Sequence, residues 1–182
     1  MNRRIRTLLI AFFLICILFP SVAAEKREYS QALGVQVGNL SGTGASYQRW
    51  TDSLGYQVAG GLVYHPEMEY GRDQLAYTIG FEVQYPLVHH QVASWLGGTV
   101  YLVGGIQHQG YKEAVETSPY SGEYTAGPFI YSLGLGGGVG VETILFNHFA
   151  IGTEFVYIGM YEPCSSRLDV DMYPQISLRY RF

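Results

Sequence analysis

A few ionisable side chains stand where a strand pattern turns them away from their apolar neighbours: Glu82, Glu142, Glu154, Arg179 and Arg181. Enclosing one carboxylate or one guanidinium is costly, so such groups are expected to pair and to hydrogen-bond with each other. We expect Arg179, together with Arg181, to neutralise Glu154 and Glu142. Paired charges can gate a pore, but in a narrow interior filled by side chains they act as a polar plug, which is the favoured interpretation.

Candidates for nucleophilic chemistry are few: His65 with Glu67, and His108 with Ser118 and Ser121. A nucleophile needs a base within hydrogen-bond reach, and no His-x-Ser pair occurs in the chain. The adjacent histidines His89 and His90 fall in a predicted turn and lack metal-ligand spacing. The sequence therefore predicts no catalytic group, no metal and no cofactor.

The elements that must position these residues are strands, because apolar and polar residues alternate along most of the chain. Eight alternating segments are predicted, at 32–39, 43–51, 54–64, 75–87, 95–108, 129–143, 149–161 and 170–182. Most have the length of about 9–11 residues with which a tilted strand crosses a bilayer. An even number of antiparallel strands can close on itself as an up-and-down barrel.

The last segment shows the two faces most clearly. One face carries Val170, Met172, Ile176, Leu178, Tyr180 and Phe182. Pro174 interrupts this face and is expected to mark a bulge. Across all segments the other face is mostly Gly, Ser, Thr, Ala and Gln, which suits a crowded barrel interior better than a surface in water.

The connections are expected to alternate between long outer loops and short inner turns, as in outer-membrane barrels. The longest predicted loop, residues 109–127, mixes tyrosines with charged residues, a composition typical of adaptable binding surfaces. Its candidate contact residues are Tyr111, Lys112, Tyr120 and Tyr124. The first connection (39–42) is short for an outer loop, and the fourth (88–94) is long for a tight turn.

The N-terminus has the pattern of a secretory signal peptide. Three arginines precede an apolar run from Leu8 to Phe19, which is too short to span a bilayer as a helix. Pro20 ends the run, and small residues follow, so we expect cleavage after Ala24. Residues 1–24 are then the signal peptide and residues 25–182 the barrel domain.

The mature part keeps eight basic and fifteen acidic residues, a formal net charge of −7. This charge argues against nucleic acid as a partner. One cysteine, Cys164, remains, so no internal disulfide is expected. Only 14% of the residues are charged, whereas soluble domains have about a quarter. Tyrosine and phenylalanine also cluster near both strand ends, as in the aromatic girdles of membrane barrels.

The signal peptide, the eight amphipathic strands and the ending Ile176-x-Leu178-x-Tyr180-x-Phe182 resemble small OmpA/OmpX-type outer-membrane barrels. The resemblance implies an all-β, closed, eight-stranded antiparallel transmembrane barrel in the bacterial outer membrane. It also implies lipid as a partner and the terminal residues as a signal read by the β-barrel assembly machinery. We expect a structural or surface-interaction role, with an extracellular ligand as a further partner; the alternatives are a lipid-modifying barrel enzyme and a soluble, secreted lipocalin-like carrier.

Overall fold

The computed structural model describes residues 29–65 and 74–182 of the chain, and the predicted signal peptide lies outside these residues. The described residues form eight strands: β1 (Gln31–Val37), β2 (Gly44–Trp50), β3 (Gly55–His65), β4 (Gln74–Ala93), β5 (Leu96–Glu116), β6 (Tyr124–Leu145), β7 (Phe149–Glu162) and β8 (Arg167–Arg181). Each strand pairs antiparallel with the next, and β1 pairs with β8, so the sheet closes into an up-and-down barrel. No helix in the described residues is long and apolar enough to cross a membrane.

The polarity of the two faces follows the alternation in the sequence. Large apolar side chains point outward on every strand except β2 and are about half exposed or more, Leu135 and Phe155 among them. The inward side chains include six buried glutamines and the buried Glu82, Glu142, Glu154, Arg179 and Arg181. This is the reverse of a protein folded in water, where apolar side chains fill the core.

Three short turns lie at the end of the barrel where β1 begins and β8 ends, here named the terminal end. They span residues 51–54, 94–95 and 146–148. The predicted connection at 88–94 was wrong, because β4 and β5 continue as a paired hairpin to a two-residue turn. His89 and His90 therefore lie in β4, and Nδ1 of His89 is 2.8 Å from Oγ1 of Thr99.

At the opposite end, here named the loop end, the strands also run further than predicted. β5 and β6 extend as a hairpin to Glu116 and Tyr124, so their connection is residues 117–123 and not 109–127. The seventh connection, between β7 and β8, is residues 163–166. The predicted strands end too early because apolar and polar residues no longer alternate clearly in these polar stretches. Backbone hydrogen bonds between strands do not depend on that alternation, so the pairing continues.

The first two strands are much shorter than the others. β1 and β2 have seven residues each, whereas β4, β5 and β6 have 20, 21 and 22. β1 reaches only as far as Val37 beside Ile176, and β2 only as far as Ala45 beside Gly60. Beyond these points no described strand pairs with the facing edges of β8 and β3, so the wall is incomplete at the loop end.

Pro174 lies at the start of this open edge of β8. Phe182 exchanges both backbone hydrogen bonds with Gln31, and residues that bond to the same neighbour recur at every second position. The backbone groups of Pro174 and Met172 therefore point along the sheet toward the edge of β8 where β1 has already ended. Proline has no N–H, and the N–H of Met172 donates to Oδ1 of Asp171 at 2.7 Å. The predicted bulge was wrong: the ladder with β7 runs through Pro174 without a shift, and proline serves to blunt an edge.

The connection from β1 to β2, residues 38–43, folds into the lumen and is here named the inner loop. Leu40 and Ser41 are completely buried. The carbonyl of Leu40 lies against Gly80 on β4, where a Cβ atom would be 2.3 Å from its oxygen. Gly42 adopts a φ of 92°, a conformation that favours glycine. The expected outer loop is thus part of the barrel interior.

Candidate functional site

The interior holds one connected network of polar side chains to which every strand contributes. Its members, from β1 to β8, are Gln36, Ser46, Gln48, Gln57, Glu82, Gln84, Tyr101, Glu142, Glu154, Gln175 and Arg179. All eleven are buried. Strand alternation turns each of them inward, and together they fill the lumen across its width.

Arg179 is the cation of this network. Its Nε donates to Oγ of Ser46 at 2.9 Å, and its Nη2 donates to the side-chain oxygens of Gln36, at 2.6 Å, and of Gln57. Nη1 lies 3.6 Å from Oε2 of Glu142, and both groups are fully buried. Arg179 is therefore held by one carboxylate and three neutral acceptors, so its charge is matched by a single buried ion pair.

Glu82 and Glu154 face each other across Gln175. The amide nitrogen of Gln175 donates to Oε1 of Glu82 at 2.9 Å and to Oε2 of Glu154 at 2.6 Å. Both carboxyl groups are thus close to one nitrogen, without a direct ion pair to Arg179 among the described contacts. The expectation that Arg179 pairs with Glu154 was wrong: neutral amides and a phenol hydrogen-bond Glu154, and Glu142 takes the guanidinium.

Tyr101 reaches the same carboxylate from β5. Its hydroxyl donates to Oε1 of Glu154 at 2.6 Å. Its ring lies over Gly140 on β6, where a Cβ atom would be 2.4 Å from the ring carbons. The inward glycine therefore makes room for the aromatic ring, which is the crowding that the glycine-rich face of β6 indicates.

Gln175 also connects the network to the inner loop. Its Oε1 accepts from the backbone N–H groups of Leu40, at 2.8 Å, and Ser41, at 3.2 Å. The hydroxyl of Ser41 bonds to the amide of Gln36. The side chain of Leu40 packs into a buried apolar cluster with Val103, Val156 and Ile158. The interior is therefore filled by side chains and, in addition, by a segment of backbone.

Comparison with protein-family models, with curated proteins and with solved structures found no significant match to this chain.

Arg181 has a different environment from the other four predicted charges. It lies at the terminal end, where its Nη1 donates to the carbonyl of Asn147 at 3.2 Å and its Nη2 to that of Tyr29 at 2.8 Å. These contacts tie β8 to the last turn and to the start of the chain. Arg181 therefore bonds to two backbone carbonyls at the terminal end of the barrel.

Sequence reasoning missed the five network glutamines and Tyr101 as members of the site. The glutamines were assigned to the inner face but interpreted only as polar filling. Their signal was available in the sequence: Gln36, Gln48, Gln57, Gln84 and Gln175 recur at inward positions of five different strands. A glutamine both donates and accepts, so a ring of them can satisfy buried carboxyl groups that outnumber the arginine.

The histidine candidates for catalysis are not part of the interior polar network. His108 points outward between Tyr77 and Tyr131, with its ring stacked at 5.5 and 5.9 Å from theirs. Its Nδ1 is 3.0 Å from the hydroxyl of Tyr77. Glu67 lies outside the described residues, and His65 ends β3. Among the residues described, no group of three His, Cys, Asp or Glu is placed to hold a metal ion.

The predicted contact loop is divided by the structure. Tyr111 and Lys112 lie in β5, opposite Ile130 and Phe129, and Tyr124 begins β6. Tyr120 alone of the four lies in the connection, where it is fully exposed with a φ of 65°. The terminal residues Ile176, Leu178, Tyr180 and Phe182 all point outward and are about half exposed.

Proposed function

We propose that this chain is an integral bacterial outer-membrane β-barrel protein with a structural or surface-interaction role. In this proposal the loop end faces the outside of the cell and the terminal end faces the periplasm. The signal peptide expected at residues 1–24 and the resemblance to OmpA/OmpX-type barrels support the location. The ring of strands, closed by the pairing of β1 with β8 and unpaired only at the loop end, supports it physically, because lipid cannot satisfy an open sheet edge.

One observation carries the proposal: the ring of strands is apolar outside and ionic inside. Leu33, Leu62, Leu135, Val139 and Phe155 are each at least half exposed on the outer wall, while Glu82, Glu142 and Arg179 are essentially inaccessible. Soluble monomers rarely expose such continuous apolar surface, and they place charges outside. A lipocalin-like carrier would need the opposite arrangement, so we set that alternative aside.

Aromatic side chains near both ends of the wall support the same proposal. At the loop end Tyr77 stacks on Phe129 and on His108. At the terminal end His148 stacks on Tyr180, with ring centroids 5.3 Å apart, and Phe149 packs edge-on against Tyr180. Amphipathic rings at two levels are typical of proteins that contact both interfaces of a bilayer.

The test of the membrane location is physical and does not need a known ligand. The protein expressed with its N-terminus intact should co-fractionate with outer membranes and float with them in a density gradient. Unboiled samples should migrate differently from boiled ones in gels, as closed barrels do. A protein found in the soluble periplasmic fraction, with identical migration before and after boiling, would contradict the proposal.

The surface-interaction role is assigned to the loop end. Residues 117–123 are exposed and carry Tyr120, Ser118 and Ser121, which suit adaptable contacts. Replacing 117–123 by a Gly/Ser linker of equal length should leave the heat-modifiable migration intact and abolish binding to host cells or envelope ligands. Replacing residues 163–166 in the same way is the matched control. Binding that persists in the first variant would remove this loop from the role.

A further inference from the structure

The inner loop covers two buried carboxyl groups, those of Glu82 and Glu154, here named the acid pair. Toward the loop end, the next inward residues on their strands are Gly80 on β4 and Val156 on β7. The carbonyl groups of the inner loop lie against Gly80, and the side chain of Leu40 belongs to the buried apolar cluster that contains Val156. The loop therefore separates the acid pair from the loop-end mouth.

Gln175 connects the acid pair to the inner loop. Its Oε1 accepts hydrogen bonds from the backbone N–H groups of Leu40, at 2.8 Å, and Ser41, at 3.2 Å. These two donors fix the orientation of the amide, so its nitrogen faces the acid pair. The nitrogen donates to Oε1 of Glu82 at 2.9 Å and to Oε2 of Glu154 at 2.6 Å. One side chain therefore bonds to both carboxyl groups and to the loop.

Among the described contacts, the acid pair has no cation of its own. Nη1 of Arg179, on β8, lies 3.6 Å from Glu142, on β6, and the other donors of Arg179 bond to neutral groups. The phenol of Tyr101, on β5, donates to Glu154 at 2.6 Å, and Tyr173, on β8, packs against the apolar cluster at the level of the inner loop. The other buried side chains that the network and the inner loop contribute from β1 to β4 are neutral: Gln36, Ser41, Ser46, Gln48, Gln57 and Gln84.

The geometry favours a single negative charge on the acid pair. Two carboxylates beside one nitrogen repel each other, and a buried charge without a cation is costly. One proton on the pair removes one of the two charges, and the surrounding amides and the phenol stabilise the other by hydrogen bonds. If that proton leaves, the second charge needs hydration, and the inner loop blocks the way in from the mouth.

We propose that one proton held by the acid pair keeps the inner loop closed at neutral pH, and that its loss to solvent in alkaline medium releases the loop toward the mouth. Release breaks the hydrogen bonds from Leu40 and Ser41 to Gln175 and admits water to the second carboxylate. The inner loop is thus a pH-dependent lid over the polar interior. This device goes beyond the proposed function, because it needs neither a surface ligand nor a particular lipid.

The test measures how accessible position 41 is to a small reagent. The full barrel carries Cys164→Ser and Ser41→Cys and is reconstituted in phosphatidylcholine vesicles. Its rate of alkylation by iodoacetamide is divided at each pH by the rate for Ser118→Cys in the same Cys164→Ser background. Position 118 is exposed, so the ratio corrects for the reagent and for thiol ionisation. Between about pH 6 and about pH 9 we expect the ratio to rise, approaching about ten-fold per pH unit for one proton.

Glu82→Gln and Glu123→Gln are the matched variants. The amide at position 82 cannot ionise, so the loop should stay closed and the ratio should stay constant over the same pH range. Glu123 is exposed in the connection 117–123, and its substitution should leave the rise unchanged. Stability provides a second measurement, because a proton held only in the folded state is released on unfolding. The unfolding constant of the barrel with Glu82 should therefore increase with pH relative to Glu82→Gln, by up to about ten-fold per unit, and level off once the loop has opened.

A ratio that stays constant with pH in the barrel with Glu82 would overturn the device. An equal rise in Glu82→Gln would also overturn it, since the movement would then come from another group. A Glu82→Gln barrel without heat-modifiable migration would count against it as well, because the amide imitates the protonated carboxyl. A protein that does not float with vesicles would contradict the membrane location alone, and the labelling is then read in detergent micelles, where the same outcomes decide.

Discussion

The backbone carbonyls of Leu40 and Ser41 lie directly on Gly80. A Cβ atom at position 80 would be 2.3 Å from the carbonyl oxygen of Leu40 and 2.4 Å from the carbonyl carbon of Ser41. Glycine at position 80 on β4 therefore leaves the space that the inner loop occupies. The Cβ atom of any other residue would overlap the loop backbone, so the loop or the strand would have to move.

Gly80→Val should displace the inner loop from the lumen. Overpacking of this kind destabilises by about 1–3 kcal/mol, measured as the urea midpoint of the vesicle-inserted barrel. Displacement of the loop is measured by maleimide labelling of a Ser41→Cys thiol, with Cys164→Ser removing the other cysteine. Because Ser41 is buried, this thiol should react only when Gly80→Val is also present. Gly104→Val is the control, because a Cβ at Gly104 meets only one atom within 4 Å, at 3.9 Å. A Ser41→Cys thiol protected equally in both backgrounds would show that the loop is held elsewhere.

Arg179→Ala should be strongly destabilising, because it leaves Glu142 buried without its cation and removes the donor to Ser46, Gln36 and Gln57. The expected cost is about 3–5 kcal/mol in the free energy of unfolding, the usual result of breaking a buried pair. Arg167→Ala is the matched control. Arg167 pairs with Asp169 on the surface at 2.7 Å, and its loss should cost about 1 kcal/mol or less. An Arg179→Ala barrel that unfolds at the wild-type urea midpoint would refute the network.

Glu82→Gln should be tolerated, in contrast to Glu142→Gln. The network holds three carboxyl groups and one guanidinium, and Glu82 shares the nitrogen of Gln175 with Glu154. An amide at position 82 cannot ionise and still accepts a hydrogen bond, so we expect a change within about 1 kcal/mol, in either direction. Glu142→Gln takes the charge from the partner of Arg179 and should cost about 3 kcal/mol. Equal urea midpoints for the two variants would contradict this division of roles.

Pro174→Ala combined with Asp171→Ala should make the barrel self-associate through the open edge of β8. The pair of substitutions restores one edge N–H and frees that of Met172, which an incoming strand can then bond. The readout is chemical cross-linking in vesicles at increasing protein density, with Pro163→Ala, in a connection, as the control. Monomers at every density would mean that the edge is protected by other means.

Phe182→Ala should lower the amount of protein in the outer membrane while leaving folding in vitro nearly unchanged. The side chain is half exposed on the outer wall, whereas the backbone of Phe182 makes the bonds with Gln31 that close the ring. Comparing membrane levels in cells with the yield of heat-modifiable barrel after refolding separates assembly from stability. A parallel loss in both measurements would make Phe182 a packing residue and not a signal.

The sequence by itself determined the strands and their faces. Period-two alternation identified eight strands and turned Glu82, Glu142, Glu154 and Arg179 inward, because successive side chains of a strand must point to opposite faces. It failed at the strand ends, as at Tyr111 and Lys112, because backbone pairing in a hairpin continues where alternation has faded.

Only the tertiary structure decided which groups meet inside. Register brings Arg179 to Glu142 and places Gln175 between Glu82 and Glu154, and register is a property of neighbouring strands, not of one segment. The inner loop shows the same limit: its own residues give no sign that it folds inward. Its position depends on Gly80 and Gln175, which lie far away in the chain and come together only when β8 closes onto β1 and completes the ring.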